Sequence, residues 1–182
     1  MQQKYKLLSC IIGAAFTLAL TPGTYAAGTL SGKIGVKLTI GAGCTVNNST
    51  SEEGSNNWGT VDFGTHSSLS NIIDADMVGS GSEGAISIEC SEGVKGRLVL
   101  DGGQNAQGNL RRMAGPDSTL IPYRLYSNAG RTTPINPEEA FELQSSTQEF
   151  PVYGRLVPGD QGTNISPAAG EYNDIVVATL SW

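Results

Sequence analysis

Imidazole, thiol and positive charge are all scarce in this chain. His66 is the single histidine among 182 residues, and it stands in the polar run Thr65-His66-Ser67-Ser68. A Ser-His-Asp hydrolase needs a positioned serine, and no G-x-S-x-G turn exists to present one, so His66 reads as a solvated loop residue. Of the three cysteines, Cys10, Cys44 and Cys90, the first lies in the N-terminal apolar run, and the remaining two with one histidine cannot make a zinc site without carboxylates, their spacing being wrong for one. No catalytic residue, metal ligand or cofactor site is assigned, and an enzyme is not expected.

Lysine and arginine together number 11 against 17 aspartates and glutamates, a net charge of −6. Such a chain has no general attraction for nucleic acid or anionic lipid. Arg111-Arg112 is two charges and no basic patch. Long hydrophobic runs are also missing: Leu7 to Leu20 is about 14 residues, too short to span a bilayer comfortably, so membrane insertion is not expected. No window has the pattern of a long amphipathic helix.

What is present begins with an export signal over residues 1–26. Lys4 and Lys6 precede the apolar run, and Thr24-Tyr25-Ala26 ends in the small-x-small pattern that places cleavage after Ala26. Cys10 follows Leu-Leu-Ser, but the apolar core lies after it, the reverse of a lipoprotein signal. Removing residues 1–26 leaves 9 basic against 17 acidic residues, a net charge of −8, on 156 residues, the size of one domain. In an exported protein the remaining pair, Cys44 and Cys90, reads as one disulfide; two free buried thiols is the other reading. The bridge would close a loop of about 47 residues, for which the chain-entropy model gives roughly 4 kcal/mol.

The 24 glycines, with Ser, Thr and Asn clusters between short apolar runs, point to many turns and an all-β fold. Ala85 to Cys90 alternates Ile86, Ile88 and Cys90 against Ala85, Ser87 and Glu89. That register puts Cys90 in the core, where a bridge to the first strand could join two sheets. Gly96 to Asp101 is a strand with Leu98 and Leu100 inward. In Leu120 to Tyr126, Pro122 suggests an edge or a bulge. A short helical turn is expected in Pro134 to Phe141, a strand over Glu149 to Val157, and a closing strand over Tyr172 to Trp182. The last is apolar on both faces, as in a central strand. About seven such strands, with no internal repeat, make a β-sandwich.

Several other motifs read as surface. Asp74 and Asp76 lack the further spacing of a calcium loop. Asp101-Gly102-Gly103 and Gly79-Ser80-Gly81-Ser82 lack the Lys-Ser/Thr of a phosphate loop, so both are turns. Asn47 and Asn48 fit the glycosylation sequon only as an isolated match.

The segment with most to say is Thr29 to Ile40. Its even positions are Leu30, Gly32, Ile34, Val36, Leu38 and Ile40; its odd positions are Thr29, Ser31, Lys33, Gly35, Lys37 and Thr39. Strict alternation means a half-buried strand, and its apolar face needs a groove. Periodicity leaves open whether that groove is in the same chain or another. Gly41-Ala42-Gly43 forms a flexible joint after it.

Lys37-Leu38-Thr39-Ile40-(x3)-Cys44, Phe63-Gly64, Ile86-Ser87-Ile88-Glu89-Cys90 and Asp101-Gly102-Gly103 occur in an order that resembles the spore coat U domain family. So do Tyr123-(x2)-Tyr126, Pro151-Val152-Tyr153-Gly154-Arg155 and Gly170-Glu171-Tyr172-(x)-Asp174. The likeness is strongest to Csu-type pilins of archaic chaperone–usher pili in Gram-negative bacteria. The resemblance implies an incomplete immunoglobulin-like sandwich lacking its last strand, residues 42–182, behind a donor extension, residues 27–41. A periplasmic chaperone would lend a strand to the open groove. At the outer-membrane usher the extension of the next subunit would replace it.

Carried onto this chain, the donor face is Leu30, Ile34, Val36, Leu38 and Ile40, and Cys44–Cys90 is the family's disulfide. The final strand would line the acceptor groove, with Ile175, Val177, Leu180 and Trp182 as candidates. The function so implied is a structural pilus subunit that polymerises with copies of itself and other pilins, for adhesion and biofilm formation at the cell surface. The alternatives are a secreted spore-coat or envelope protein of the same fold, or a small carbohydrate-binding sandwich.

Overall fold

The computed structural model describes residues 28–47, 56–79 and 84–182. The signal segment with its cleavage after Ala26, Asn48 of the sequon and Ser80 to Ser82 lie outside the described residues. The chain divides into two units, Met1–Thr39 and Ile40–Trp182.

In the first unit, residues 28–39 form neither helix nor strand. Leu30, Ile34, Val36 and Leu38 are 82–100 % exposed, and nothing lies within 4 Å of where a Cβ on Gly32 or Gly35 would stand. An apolar stripe left in water is a liability unless something covers it.

The second unit is all-β and antiparallel. Its described strands are β1 (Cys44–Val46), β2 (Thr60–Val61), β3 (Ile73–Val78), β4 (Ala85–Cys90), β5 (Arg97–Leu100) and β6 (Arg111–Ala114). Then come β7 (Leu120–Tyr126), β8 (Ala140–Glu142), β9 (Thr147–Pro151), β10 (Tyr153–Leu156) and β11 (Ala178–Ser181). They form a five-stranded sheet, β2-β3-β10-β7-β6, and two three-stranded sheets, β1-β4-β9 and β11-β5-β8. The two-residue period of the sequence selects the buried faces: Ile73, Ala75 and Met77 on β3, Ile86, Ile88 and Cys90 on β4, Leu98 and Leu100 on β5, Ile121, Tyr123 and Leu125 on β7. All of these but Ala75 meet in one core with Phe150, Val152 and Leu156. Phe141 and Phe150 pack with ring centres 4.9 Å apart, joining β8 to β9.

Several expectations are corrected here. Cys44 and Cys90 are bonded, but they sit directly opposite on neighbouring strands of one sheet, Cα atoms 3.9 Å apart, so the bridge does not join two sheets. It locks β1 beside β4. Glu149 to Val157 is not one strand: β9 pairs with β4, whereas β10 pairs with β3 and β7 in the other sheet. Buried Val152 is the crossing point, and its carbonyl accepts the Met77 N–H at 3.0 Å.

Pro122 lies in an interior strand, not an edge. Pairing of β7 with β10 ends at Arg124, so the missing N–H costs no ladder bond to β10, and the Pro122 carbonyl accepts from Gln161 at 3.0 Å. No helix forms at Pro134 to Phe141. Buried Ile135 donates its N–H to the Leu125 carbonyl at 2.8 Å, and the chain then makes a single turn, closed by the Glu139 N–H on the Asn136 carbonyl at 3.3 Å, before β8. Short 3-10 turns occur instead at Pro116–Ser118 and Pro158–Asp160.

Asp74 and Asp76 are not in a loop but on the outer face of β3. Arg155 grips Asp74 through two bonds of 2.6 and 2.9 Å, and Arg131 reaches both Asp76 and Asp74. Among the described residues no cluster of acids, histidines and cysteines is placed to hold a metal.

Candidate functional site

The C-terminal stretch is where regular pairing runs out. Of Tyr172 to Trp182, only β11 forms a strand, paired to β5 with Thr179 opposite Val99. Just before it, Asp101 donates its N–H to the Val177 carbonyl at 2.9 Å, so Val177 bonds on the β5 side. Antiparallel bonding alternates, so Thr179 and Ser181 also face β5, while Val176, Ala178 and Leu180 direct their N–H and C=O away from it. No described strand lies on that side of β11. The stretch is therefore an edge, where its composition suggested a central strand. An edge of this kind is a template for another strand.

Beneath the edge the core is open. A groove of about 660 Å³ runs between a rim at Asn56 to Val61 and a rim at Tyr172 to Ala178. Its floor comes from several sheets: Met77, Ile86, Leu100, Met113, Leu125 and Val152. Phe63 and Tyr123, in an edge-to-face contact with ring centres 6.2 Å apart, line it with Tyr172. The lining is mostly apolar, and a strand laid along β11 would cover it.

The sequence-predicted groove residues divide. Leu180 packs against the core with Val176 and Ala178. Ile175 and Val177 border the groove but are 62 % and 53 % exposed. Trp182 is 62 % exposed, and its indole lies 3.5 Å from where a Cβ on Gly43 would stand. Val176 and Ala178, which sequence reasoning did not select, belong to the same alternating set as Leu180, and the β5 register identifies them. The predicted donor residues Leu30, Ile34, Val36, Leu38 and Ile40 are 82–100 % exposed.

A polar network fixes the rim. Arg111 is buried, with Nε donating to the Asp101 carbonyl at 2.8 Å, Nη1 to that of Ile135 at 2.6 Å and Nη2 to that of Leu100 at 3.3 Å. Burial pulls its pKa down, opposed by the nearby carboxylates of Asp101, Asp174 and Glu138. The Tyr123 hydroxyl donates to Asp174 at 2.7 Å. Burial first, and then this bond to a carboxylate, raise the phenol's pKa and keep it neutral. Asp174 also accepts the Gln104 N–H at 2.8 Å, and Asn173 and Ala114 exchange backbone bonds of 2.9 Å. The rim thus leaves β5 at Val177 and crosses to β6. His66 is far simpler: it is exposed, with Nε2 2.6 Å from the Phe63 carbonyl oxygen.

The model of the Spore Coat Protein U domain matches residues 30–179. The chain belongs to that family. This Spore Coat U match contains both the exposed stripe from Leu30 and the groove rim up to Thr179. No curated protein matches the sequence. Among solved structures, this Spore Coat U chain is similar to one from Acinetobacter baumannii, the CsuC–CsuE chaperone–tip adhesion subunit pre-assembly complex of archaic chaperone-usher Csu pili. Identity is 20 %, over 79 % of this chain and 40 % of that one, with a TM-score of 0.48. The chain therefore spans less than half the length of that neighbour. No helix among the described residues is long and apolar enough to cross a membrane.

Proposed function

We propose that this protein is a structural subunit of a chaperone–usher surface pilus, polymerising by donor-strand complementation, and not an enzyme. The observation that carries the proposal is the unpaired edge of β11 above an apolar groove, in a chain whose own residues 30–40 present an uncovered alternating stripe. Together they read as an immunoglobulin-like sandwich short of one strand. Family membership supports the same reading.

In this scheme residues 27–41 are the donor extension and residues 42–182 the acceptor domain. Leu30, Ile34, Val36, Leu38 and Ile40 enter the groove of a neighbouring subunit. Burying five such side chains contributes on the order of 7–15 kcal/mol gross, before the entropy of ordering the segment. Backbone pairing along the β11 edge adds to it. A periplasmic chaperone covers the groove before assembly, the outer-membrane usher exchanges the strands, and the fibre serves adhesion and biofilm formation at the cell surface.

Val36→Asp tests this. It places a charge in the middle of the donor face while leaving the acceptor domain untouched. The expected result is normal accumulation as a soluble chaperone complex with no fibres by electron microscopy. Loss of the soluble form would show that the stripe belongs to its own domain.

A further inference from the structure

We propose that Lys33 and Lys37 steer the extension of one copy of this chain toward the acceptor domain of another, so that docking between identical subunits is charge-guided. This rests on the donor-strand reading above and adds to it what selects the partner and sets its rate of arrival.

Charge is divided very unevenly along the chain. Residues 27–41 contain Lys33 and Lys37 and no acidic residue, whereas residues 42–182 contain all 17 mature acidic residues against 7 basic ones, a net charge of −10. The domain's arginines are largely engaged already. Arg97, Arg124, Arg131 and Arg155 are paired with Glu142, Asp160, Asp76 and Asp74. Arg111 is buried on carbonyls, and Arg112 bonds the Asn105 carbonyl and Gln107. Asp62 and Glu171 are exposed and adjoin in sequence Phe63 and Tyr172, which line the groove from opposite sides. An approaching cation therefore meets a negative domain and negative rims.

Lys33 and Lys37 occupy the odd positions of the strand, opposite Leu30, Ile34, Val36, Leu38 and Ile40. When the apolar face is in the groove their ammonium groups stay in water. Their contribution falls on encounter, where opposite potentials raise association rates, and little on the buried contact that sets dissociation.

The test uses the purified full-length chain and synthetic peptides of residues 28–41, followed by stopped-flow tryptophan fluorescence, since Trp58 lies on the groove rim. The peptide carrying Lys33→Glu and Lys37→Glu is expected to associate on the order of tenfold more slowly at low salt. That gap should close at about 0.5 M salt, where screening is nearly complete. Dissociation rates should agree within about twofold. Equal association rates at low salt, or a difference confined to dissociation, overturn the proposal. A Val36→Asn peptide, which keeps both lysines, separates the two layers of inference. If it binds as well as the natural peptide, or if no peptide binds, the donor-strand reading itself fails and steering fails with it.

Discussion

The carbonyl of Asp101 accepts the Nε–H of Arg111 at 2.8 Å, and that bond sets where the last strand begins. In an unbroken ladder the Val177 N–H would reach the same carbonyl. It bonds instead to the Asp101 side chain, Oδ1, at 2.8 Å. A side-chain oxygen standing in for a backbone one lets the chain part from β5 there and cross to Ala114 on β6. The groove's rim is the result.

Arg111→Met should therefore destabilise the domain by about 3 kcal/mol or more, since the carbonyls of Asp101 and Ile135 lose their side-chain donor and that of Leu100 is left with the Glu138 N–H alone. Urea unfolding measures the loss. Amide hydrogen exchange at Val177 should change as well, because the freed Asp101 carbonyl becomes available to it. An unaltered Val177 amide would mean the rim is set by something other than Arg111.

Gly103→Ala addresses the same rim from the other side. Gly103 has φ of +73°, a left-handed conformation that favours glycine. The Asp174 carboxylate also occupies the space a Cβ would take. We expect a cost of about 2 kcal/mol, with Asp174 displaced from the Gln104 amide and the Tyr123 hydroxyl. A thermal melt shows the cost, and tyrosine near-ultraviolet circular dichroism shows the displacement.

Acid should weaken the fold through Asp74. The hydrogen bonds from Arg155 hold its carboxyl below the usual range, against the effect of burial, with the charges of Arg131 and Arg155 adding to them. A pKa lowered on folding stabilises the native state above the unfolded value, near 3.9, and that contribution vanishes as pH falls through the folded value. Asp160 beside Arg124 behaves alike. Asp74→Asn should flatten the fall in melting temperature below about pH 4. The effect should be small, because these pairs are partly exposed. A profile as steep as that of the natural protein would assign the acid sensitivity elsewhere.

Replacing Cys44 and Cys90 together by serine should remove about 2–4 kcal/mol, since the bridge spans 46 positions of chain. Periplasmic yield of the double variant and its urea midpoint both report this. Unchanged values would show that pairing of β1 with β4 holds without the bond.

Alternation made much of this readable. Ile86-x-Ile88-x-Cys90 and Leu98-x-Leu100 announced β4 and β5, whereas the equally regular Leu30 to Ile40 stripe forms no strand within its own chain. Where the sequence misled, long-range partners decided. β3 was hidden because Asp74 and Asp76 drew attention to their carboxylates, although Ile73, Ala75 and Met77 alternate between them. β6 was hidden as a pair of charges, because nothing local shows that Arg111 is buried on three carbonyls. The crossing at Val152 and the parting at Val177 depend on bonds to Met77 and Asp101, distant in sequence. Period two gave the phase of the closing segment, but only its register against β5 shows that Val176, Ala178 and Leu180 face the core.

The corner where the joint meets the domain has a mechanical meaning. Gly43 exchanges two bonds with Ser91, of 2.8 and 3.2 Å, and the next residue is Cys44, covalently tied to β4. A pull on the extension is thus handed to β4 through sulfur at the first residue of β1. The three-residue strand cannot be unzipped from its end while that bond holds, so tension must be borne by β4, flanked on both sides, instead of by the weakest ladder in the sheet.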